Sequence, residues 1–363
     1  MKITVSTIKA DVGSIAGHTA PHPAMLSAVE RLLLNARESG LLLDAYLTFI
    51  GDDINILMTH TKGANDGDIH GLAWDSFMSA TEIAKELGLY GAGQDILKDT
   101  YSGNIKGMGP GVAEMEFEER PAECLVLLMA DKTEPSALSP IFFHAFCNPF
   151  HSHGMLLSKP LFAGFTVVLF DTKTGQRGIF SVPEENRLIL TLTAYNSHRF
   201  VFEAGRLSGY GEPAFAAVTD RLHNIAGRYV GKDDPAALVR TQKIFPATEE
   251  LLPILQKAQL VGGDARGSHY MPLMPVAAQT PAAANHCIPM IAALGFSLKN
   301  GELTMPIDLL GGADFDEARR KAVRISEYMW DHGPFSPFML PPDELEYGDV
   351  AGSVNSILEE RFR

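Results

Sequence analysis

Residues 124–132 read CLVLLMADK and predict a buried strand. Seven apolar residues without a polar interruption are typical of a strand that is buried on both faces, and this run ends directly at an aspartate. The same design recurs in two further strand patterns, which are Lys2–Ala10 followed by Asp11, and Ala45–Ile50 followed by Gly51-Asp52-Asp53 and by a resumed strand over Ile54–Met58.

Helical patterns lie between the strand patterns. Pro23–Ser39 carries an apolar stripe, with a proline at its start and Gly40 just past its end. Further helices are predicted over Ala73–Leu87, Pro213–Arg228, Thr248–Ala258 and Asp314–His332, and further strands over Ala163–Asp171, Gly178–Val182 and Leu188–Leu192. Because both types are mixed along the chain without a break in composition, the sequence predicts a layered α/β fold in a single intertwined domain, residues 1–363. The strand order does not follow from these patterns.

Composition argues against several function classes. The formal net charge is −14, from 44 acidic and 30 basic residues, which disfavours nucleic-acid binding because that needs a basic surface. The longest apolar runs have about seven residues, whereas a membrane-spanning helix needs roughly 20, so no membrane span is predicted. The N-terminus reads directly as a strand and not as a signal peptide, so secretion is not expected.

The three cysteines are Cys124, Cys147 and Cys287. Their number is odd, they are widely spaced, and no CxxC motif occurs, which argues against a disulfide framework or a zinc site. A reducing cytoplasm fits this pattern, and a cytoplasmic protein is expected.

Aspartates stand at three strand ends: Asp11, Asp52 with Asp53, and Asp131. A single aspartate there is usually a turn or helix-cap residue. Three at the same kind of position favour a ligand site, since strand ends on one side of an α/β sheet are where such sites form. Carboxylates that meet repel one another unless cations lie between them, and oxygen ligands suit Mg²⁺ better than zinc. A Gly-Asp-Asp turn also occurs in RNA polymerases, but the acidic charge disfavours that interpretation.

The segment Tyr229–Asp234 combines a phenol, an amine and two carboxylates around Gly231. A lysine such as Lys232 can form a Schiff base with a carbonyl substrate, with Tyr229 as its acid/base partner. The alternative is a solvated turn, which the residues alone favour. Adjacent carboxylates also keep a lysine protonated, unless Mg²⁺ neutralises them or the side chains point in different directions. On composition alone, the glycine-flanked loops Gly91–Asp95 and Ser102–Asn104 are likewise ordinary turns.

Motifs along nearly the whole chain resemble the bifunctional fructose-1,6-bisphosphate aldolase/phosphatase family of many archaea and some deep-branching bacteria. Each motif alone is weak, but together they are highly specific. The matching motifs are Ile8–Ser14 with Gly17-His18, Gly51–Asp53 with Met58–Thr61, Gly91–Asp95, Gly109–Met115, Met129–Pro135, Ala226–Pro235, Arg266–Tyr270 and Glu346-Tyr347.

The resemblance implies a layered α-β-β-α sandwich, a homo-octamer, several Mg²⁺ ions and sugar-phosphate substrates. It implies that dihydroxyacetone phosphate and glyceraldehyde 3-phosphate condense through a Schiff base, after which Mg²⁺-assisted hydrolysis of the 1-phosphate leaves fructose 6-phosphate. Lys232 matches the Schiff-base lysine and Tyr229 its acid/base partner. The matching Mg²⁺ ligands are Asp11, His18, Asp52, Asp53, Gln94, Asp131, Asp233 and Asp234. The matching substrate contacts are His18, Tyr90, Gly103, Asn104, Lys132, Gln242, Arg266, His286 and Tyr347.

The chain departs from the family pattern at Ala284–Cys287, where the family usually has an aspartate near the position of His286. Lys243 stands at a position where other members vary, and the histidine-rich segment Phe150–Gly154 is read as a surface loop. Two alternatives to the bifunctional enzyme stay open. One is a monofunctional Mg²⁺-dependent sugar phosphatase, and the other is a non-catalytic subunit that binds metal or sugar phosphate.

Overall fold

A computed structural model describes residues 1–96, 109–195, 199–221, 234–263, 270–282, 288–332 and 350–361. The strands are β1 (Lys2–Asp11), β2 (Asp44–Ile50), β3 (Asp53–His60), β4 (Gly111–Glu118), β5 (Glu123–Asp131), β6 (Phe165–Asp171), β7 (Arg177–Val182), β8 (Phe200–Leu207), β9 (Pro213–Ala217), β10 (Asp220–Arg221), β11 (Ala236–Thr241), β12 (Gln259–Gly262), β13 (Tyr270–Pro275), β14 (Met290–Lys299), β15 (Glu302–Leu303) and β16 (Ile307–Asp308).

The helices are α1 (Pro23–Glu38), α2 (Gly67–Glu86), α3 (Ser139–Phe142), α4 (Gly154–Leu157), α5 (Asn186–Tyr195), α6 (Thr248–Leu251), α7 (Asp316–Asp331) and α8 (Val350–Arg361). Among the described helices, none is long and apolar enough to cross a membrane. Mixed helices and strands confirm the predicted α/β class.

The strands form two sheets. The first has the order β10-β4-β1-β3-β2, and all of its pairs are antiparallel. The second follows the path β12-β13-β14-β5-β11-β9-β8-β6-β7, with β15 and β16 paired to β14, and only β13 and β14 run parallel. Because the pairing is antiparallel, the turn between β2 and β3 lies beside the end of β1.

The apolar run over residues 124–130 lies in strand β5. Leu125, Leu127 and Met129 pack in a core that also holds residues of the first sheet, such as Val5 and Met115. The intervening residues of β5, which are Val126, Leu128 and Ala130, pack in a second core with the short helices on the other face. Successive side chains of a strand point to opposite faces, so both sets are apolar because both faces are buried.

The first sheet is covered on its other face by α1 and α2. Met25 and Val29 of α1 and Phe77 of α2 share a core with Ile8 and Ile56 of the sheet. The predicted helix over Ala73–Leu87 begins six residues earlier than expected, at Gly67. There the Asp66 side chain accepts hydrogen bonds from the backbone N–H groups of Asp68 and Ile69 and caps the helix.

Most of the predicted strands and helices are confirmed with small shifts of their ends. The confirmed elements are β1, β2, β3, β5, β6, β7, α1, α2 and α7. The predicted helix over Thr248–Ala258 is confirmed only as α6, because Pro253 lacks an N–H group and starts a separate 3₁₀ turn over Pro253–Gln256.

The strand predicted over Leu188–Leu192 is wrong, since these residues lie in α5. Leucines at every second position look like a strand, but Leu188 and Leu190 are exposed. Ile189 and Thr193, four residues apart, are the buried pair, and this is the spacing of a helix face.

The helix predicted over Pro213–Arg228 is also wrong in its described part, where β9 and β10 lie instead. All five residues of β9 are buried between its neighbours β8 and β11. Tertiary burial therefore overrides the helix preference of its alanines. Residues 222–228 lie outside the described part.

Candidate metal centre

The turn between β2 and β3 carries Asp52 and Asp53 to the end of β1. Asp11, the last residue of β1, is paired in the antiparallel register with Asp53, the first residue of β3. The three aspartates are almost completely buried. The predicted convergence of acidic strand ends is thus present, and a hairpin turn beside an antiparallel strand produces it.

Asp131 reaches the same place from the second sheet, as the last residue of β5. Gly51 permits this approach, because a Cβ atom at position 51 would lie 1.8 Å from Oδ2 of Asp131. Gly51 also has a φ of +51°, a conformation that favours glycine. The turn and the aspartate therefore fit together only when residue 51 has no side chain.

A first group of possible metal ligands consists of Asp11, His18 and Asp52, whose ligand atoms lie within 4.8 Å of one another. Nδ1 of His18 lies 2.9 Å from Oδ2 of Asp52 and 3.7 Å from Oδ2 of Asp11. Burial lowers the pKa of His18, but the two neighbouring carboxylates outweigh burial and raise it to about 10. Burial, together with the charge of Asp52, raises the pKa of Asp11 to about 6.

The loop Gly91–Asp95 packs on this first group and is more than an ordinary turn. Oδ2 of Asp95 accepts a hydrogen bond of 2.9 Å from the backbone N–H of Asp11. Oε1 of Gln94 is buried without a hydrogen-bond partner among the described residues. A Cβ atom added to Gly91 would lie 3.0 Å from that oxygen and 4.0 Å from Cε1 of His18. Gln94 is therefore close to His18, as a shared ligand role requires.

Tyr90 borders the same group. Its ring meets that of His18 edge-on, with the ring centroids 4.7 Å apart. Its backbone exchanges hydrogen bonds with Ser14, which anchors the loop to the segment that carries His18. Tyr90 is partly exposed, so the predicted substrate contact lies at the surface beside the buried carboxylates.

A second group of possible ligands consists of Asp53, Asp131 and Asp234, again within 4.8 Å of one another. Oδ1 of Asp234 accepts a hydrogen bond of 2.6 Å from the backbone N–H of Thr133, and the Asp234 N–H donates to the Thr133 carbonyl. Asp234 and Lys132 both have positive φ angles, of 50° and 59°. Non-glycine residues in this conformation carry strain, and such residues cluster at functional sites.

Lys132 lies between the two groups. Its Nζ donates to Oδ1 of Asp52 at 2.5 Å and to Oδ1 of Asp131 at 3.1 Å. Burial raises the pKa of Asp52, but Lys132 and His18 outweigh it and hold that pKa well below the usual range. Burial also raises the pKa of Asp131, to about 7, although Lys132 opposes this shift.

These residues fit hard divalent cations. Two carboxylates about 5 Å apart repel by about 3 kcal/mol at an effective dielectric of about 20, so the clustered aspartates need cations between them. Buried oxygen atoms without hydrogen-bond partners among the described residues, Oδ2 of Asp131 and Oε1 of Gln94, are available as ligands. Oxygen donors with one histidine suit Mg²⁺ or Mn²⁺.

Gln242, a predicted substrate contact, follows the opposite end of β11 from Asp234. Eight residues of extended chain separate the two, which corresponds to roughly 25 Å. The backbone carbonyl of Gln242 accepts a hydrogen bond from Arg120 at that far end. Within one described chain, Gln242 therefore does not join the acidic groups.

Other predicted site residues lie outside the described part of the chain. They are Tyr229, Lys232 and Asp233 of the central segment, and Gly103, Asn104, Arg266, His286 and Tyr347. Their roles stay predictions.

The histidine-rich segment Phe150–Gly154 is separate from both ligand groups. Phe150 is almost fully exposed, as the predicted surface loop requires. The ring of His151 meets that of His144 at 4.6 Å, and burial together with His151 lowers the pKa of His144 to about 4. No carboxylate joins these histidines in a ligand group among the described residues.

Two residues of the centre had no role in the sequence-based prediction. Asp95 holds the backbone of Asp11, and Lys9 forms an ion pair with Asp53. Both residues lie within the motifs Ile8–Ser14 and Gly91–Asp95, but no role was predicted for either. The available signal for Lys9 was a lysine between Ile8 and Ala10, near the end of a predicted strand, because a buried lysine needs a partner.

Residues 2–363 match the protein family described as fructose-1,6-bisphosphatase. The chain is 48% identical over 364 residues to a protein of Thermus thermophilus, with 99% of each chain covered. It is 48% identical over 362 residues to a protein of Cenarchaeum symbiosum, with 100% of this chain and 95% of that one covered. A protein of Methanothermobacter marburgensis is 44% identical over 364 residues, with 100% and 99% covered. All three are named fructose-1,6-bisphosphate aldolase/phosphatase.

The first prediction concerns Gly51→Ala. The new methyl group collides with the carboxylate of Asp131, so we expect Mg²⁺ to lose most of its stabilising effect on thermal unfolding. Gly40→Ala is the matched control, since Gly40 has a φ of +77° but no atom within 4 Å of an added Cβ. In both variants the left-handed backbone conformation lowers the free energy of unfolding by about 1–2 kcal/mol, because alanine has a Cβ atom. Equal responses of the two variants to Mg²⁺ would contradict the close fit of Gly51 and Asp131.

The second prediction concerns pH. The pKa values of Asp11 and Asp131 are raised, to about 6 and about 7, so these groups favour the folded state at low pH. That contribution is complete below about pH 4, the usual pKa of an aspartate, and is lost as the pH rises from there through about 6 for Asp11 and about 7 for Asp131. Above these values the deprotonated carboxylates are able to bind Mg²⁺. We therefore expect the increase in melting temperature on adding Mg²⁺ to be small at pH 5.5 and large at pH 8. Differential scanning fluorimetry with EDTA as the reference measures it.

Asp131→Asn serves as the control for this pH dependence. Asp131 has the higher of the two pKa values. Its replacement should therefore remove the part of the pH dependence near pH 7, where the stabilisation by Mg²⁺ grows with pH. A Mg²⁺ effect of the same size at pH 5.5 and pH 8 in the unmodified protein would show that neither carboxylate controls ion binding.

Proposed function

The chain belongs to the fructose-1,6-bisphosphate aldolase/phosphatase family, and we propose that it makes fructose 6-phosphate by two reactions in one pocket. The first joins dihydroxyacetone phosphate and glyceraldehyde 3-phosphate into fructose 1,6-bisphosphate. The second hydrolyses the 1-phosphate. The observation that carries this proposal is the pair of adjacent ligand groups, each with three metal-binding side chains, where the two sheets meet.

For the aldol step we assign Lys232 as the Schiff-base lysine. Its amine attacks the ketone of dihydroxyacetone phosphate, and the carbonyl oxygen leaves as water. Loss of a proton from the neighbouring carbon gives an enamine, which attacks the aldehyde carbon of glyceraldehyde 3-phosphate. Tyr229 moves the protons that this sequence requires, and water then releases the sugar bisphosphate from the lysine.

For the phosphatase step we assign the acidic groups, with Gln94 and Asp233, as the holders of several Mg²⁺ ions. Bound Mg²⁺ neutralises charge on the transferring phosphoryl group and supports attack by water. Lys132 already spans Asp52 and Asp131, so its ammonium group is within reach of a phosphate bound there. Arg266 suits a phosphate through its bidentate fork, and Tyr90 borders the entrance.

We further propose that the chain forms a homo-oligomer, an octamer in line with the family resemblance. Several large apolar side chains are exposed near the edge strand β7 and the helix α4, including Leu157, Phe162 and Ile179. Such surfaces are usually covered by another molecule. A second copy would also account for Gln242, which is too far from the acidic groups of its own chain to reach a shared substrate.

The three cores support an α-β-β-α order of layers, which we propose as one catalytic domain spanning residues 1–363. Free thiols at Cys124 and Cys147 are consistent with the cytoplasmic location that we propose. The substrates in this proposal are small sugar phosphates, and neither nucleic acid nor a membrane is a partner.

The third prediction tests the aldol step. Borohydride adds hydride to the iminium carbon, so dihydroxyacetone phosphate with borohydride should attach covalently to the protein, and peptide mass spectrometry should place the adduct on Lys232. Lys232→Met should prevent the adduct and keep some hydrolysis of fructose 1,6-bisphosphate. Lys62→Met, a change at a partly exposed lysine paired with Asp68, is the matched control and should behave like the unmodified protein.

Other outcomes select the alternatives. Phosphate release without any adduct would leave a monofunctional Mg²⁺-dependent sugar phosphatase. Binding of fructose 1,6-bisphosphate without turnover, unchanged in Asp52→Ala and Asp234→Ala, would leave a non-catalytic binding subunit.

The fourth prediction tests assembly. Light scattering after size-exclusion chromatography should give a molar mass of several chains. Ile179→Glu should lower that mass, because it places a charge on an exposed apolar position of the edge strand. Glu184→Gln, an exposed change nearby in sequence, should not. A monomeric mass for the unmodified protein would rule out the homo-oligomer.

A further inference from the structure

Lys9 is the most deeply buried cation of the candidate centre. It lies on β1 two residues before Asp11, and its side chain is 0% exposed. Strand alternation puts Lys9 and Asp11 on the same face of β1, which is the face that meets the second sheet. A lysine is almost never buried to this degree unless its ammonium group is fully paired.

The ammonium group of Lys9 has three partners for its three N–H donors. It forms an ion pair with Oδ2 of Asp53, in the hairpin turn of the first sheet. It donates to the carbonyl of Ala130 at 2.8 Å, directly before Asp131. It also donates to the carbonyl of Asp234. Each of the three residues that form the second ligand group is therefore held by Lys9, either directly or through its neighbour.

The partners of the Lys9 ammonium group differ in kind from those of Lys132. Among the described residues, the Lys132 ammonium group bonds only carboxylates of the centre, and its side chain is 7% exposed, so a phosphate can replace a carboxylate as its partner. Lys9 has no exposed surface and donates two hydrogen bonds to backbone carbonyls. These carbonyls do not move unless the backbone that carries them moves. Lys9 is thus placed to fix distances between strands and not to contact a substrate.

We propose that Lys9 is a positioning residue that sets the spacing of Asp53, Asp131 and Asp234 for metal binding. Through the Asp234 carbonyl it also fixes the chain directly before β11. The kinetic part of this proposal rests on the proposed function, whereas the binding part concerns Mg²⁺ alone.

The fifth prediction tests Lys9→Met, which keeps an unbranched side chain of nearly the same length and removes the charge and all three donors. We expect calorimetry to show Mg²⁺ binding at least tenfold weaker, because the three carboxylates lose their common anchor. We expect kcat for phosphate release to fall at least tenfold, with KM for fructose 1,6-bisphosphate changed less than about twofold. Lys132→Met should show the opposite split, with the larger change in KM.

Lys2→Met is the matched control. Lys2 lies on the same strand and is paired with Glu116, but it is exposed, so Mg²⁺ binding and both kinetic constants should stay unchanged. Lys9→Gln is a second variant that keeps two N–H donors in a neutral side chain. It should bind Mg²⁺ with an affinity between those of Lys9→Met and the unmodified protein.

Two results would overturn the proposal. Tighter Mg²⁺ binding in the two Lys9 variants would mean that Lys9 only offsets negative charge. Unchanged Mg²⁺ affinity in either folded variant would mean that Lys9 only supports the fold. Because calorimetry needs no turnover, the test of Lys9 stands even where the unmodified protein binds Mg²⁺ but proves inactive, an outcome that would count against the proposed function alone.

Discussion

Mutual repulsion among buried carboxylates governs how the candidate metal centre is built. Five aspartates from the ends of β1, β3 and β5 and from the turns beside them meet in the interior, where each uncompensated charge is costly. The fold compensates with two ammonium groups and one imidazole at fixed positions. Lys9 anchors backbone as well as a carboxylate, Lys132 spans the two ligand groups, and His18 pairs with the first group. What charge remains is suited to divalent cations.

Each of the two sheets supplies part of this centre. The first supplies Asp11, Asp52 and Asp53 through one antiparallel register and one tight turn. The second supplies Asp131 and Asp234 through the neighbouring strands β5 and β11. Gly51 is one point of contact between the two contributions, because a residue without a side chain lets the turn meet the Asp131 carboxylate. A metal centre of this kind depends on how two sheets dock, and no single strand carries it.

Sequence patterns predicted the acidic strand ends and a shared site for them, but not the antiparallel register and the hairpin turn that bring these ends together. Periodicity identifies a strand and its last residue, whereas the partner strand and its direction depend on contacts between distant residues. The same limit explains β9, whose alanines favour a helix until both faces are buried, and α5, whose alternating leucines conceal a helical face. The role of Lys9 depends on three carbonyl and carboxylate groups far apart in sequence, so no local pattern reveals it. Motif resemblance is the basis of the roles predicted for Tyr229 and Lys232, since the sequence of their segment alone is typical of a solvated turn.

Strand β5 contributes alternate side chains to two different cores and ends in the aspartate that completes the second ligand group. This arrangement has a consequence for folding kinetics. Contacts on both faces of β5 join residues far apart in sequence, so they form late and at a high cost in chain entropy. A partly folded chain with only one core in place does not yet hold Asp131 against Gly51. An intermediate of that kind would lack the complete second ligand group, so a divalent ion bound there would stabilise the fully docked chain in preference to it.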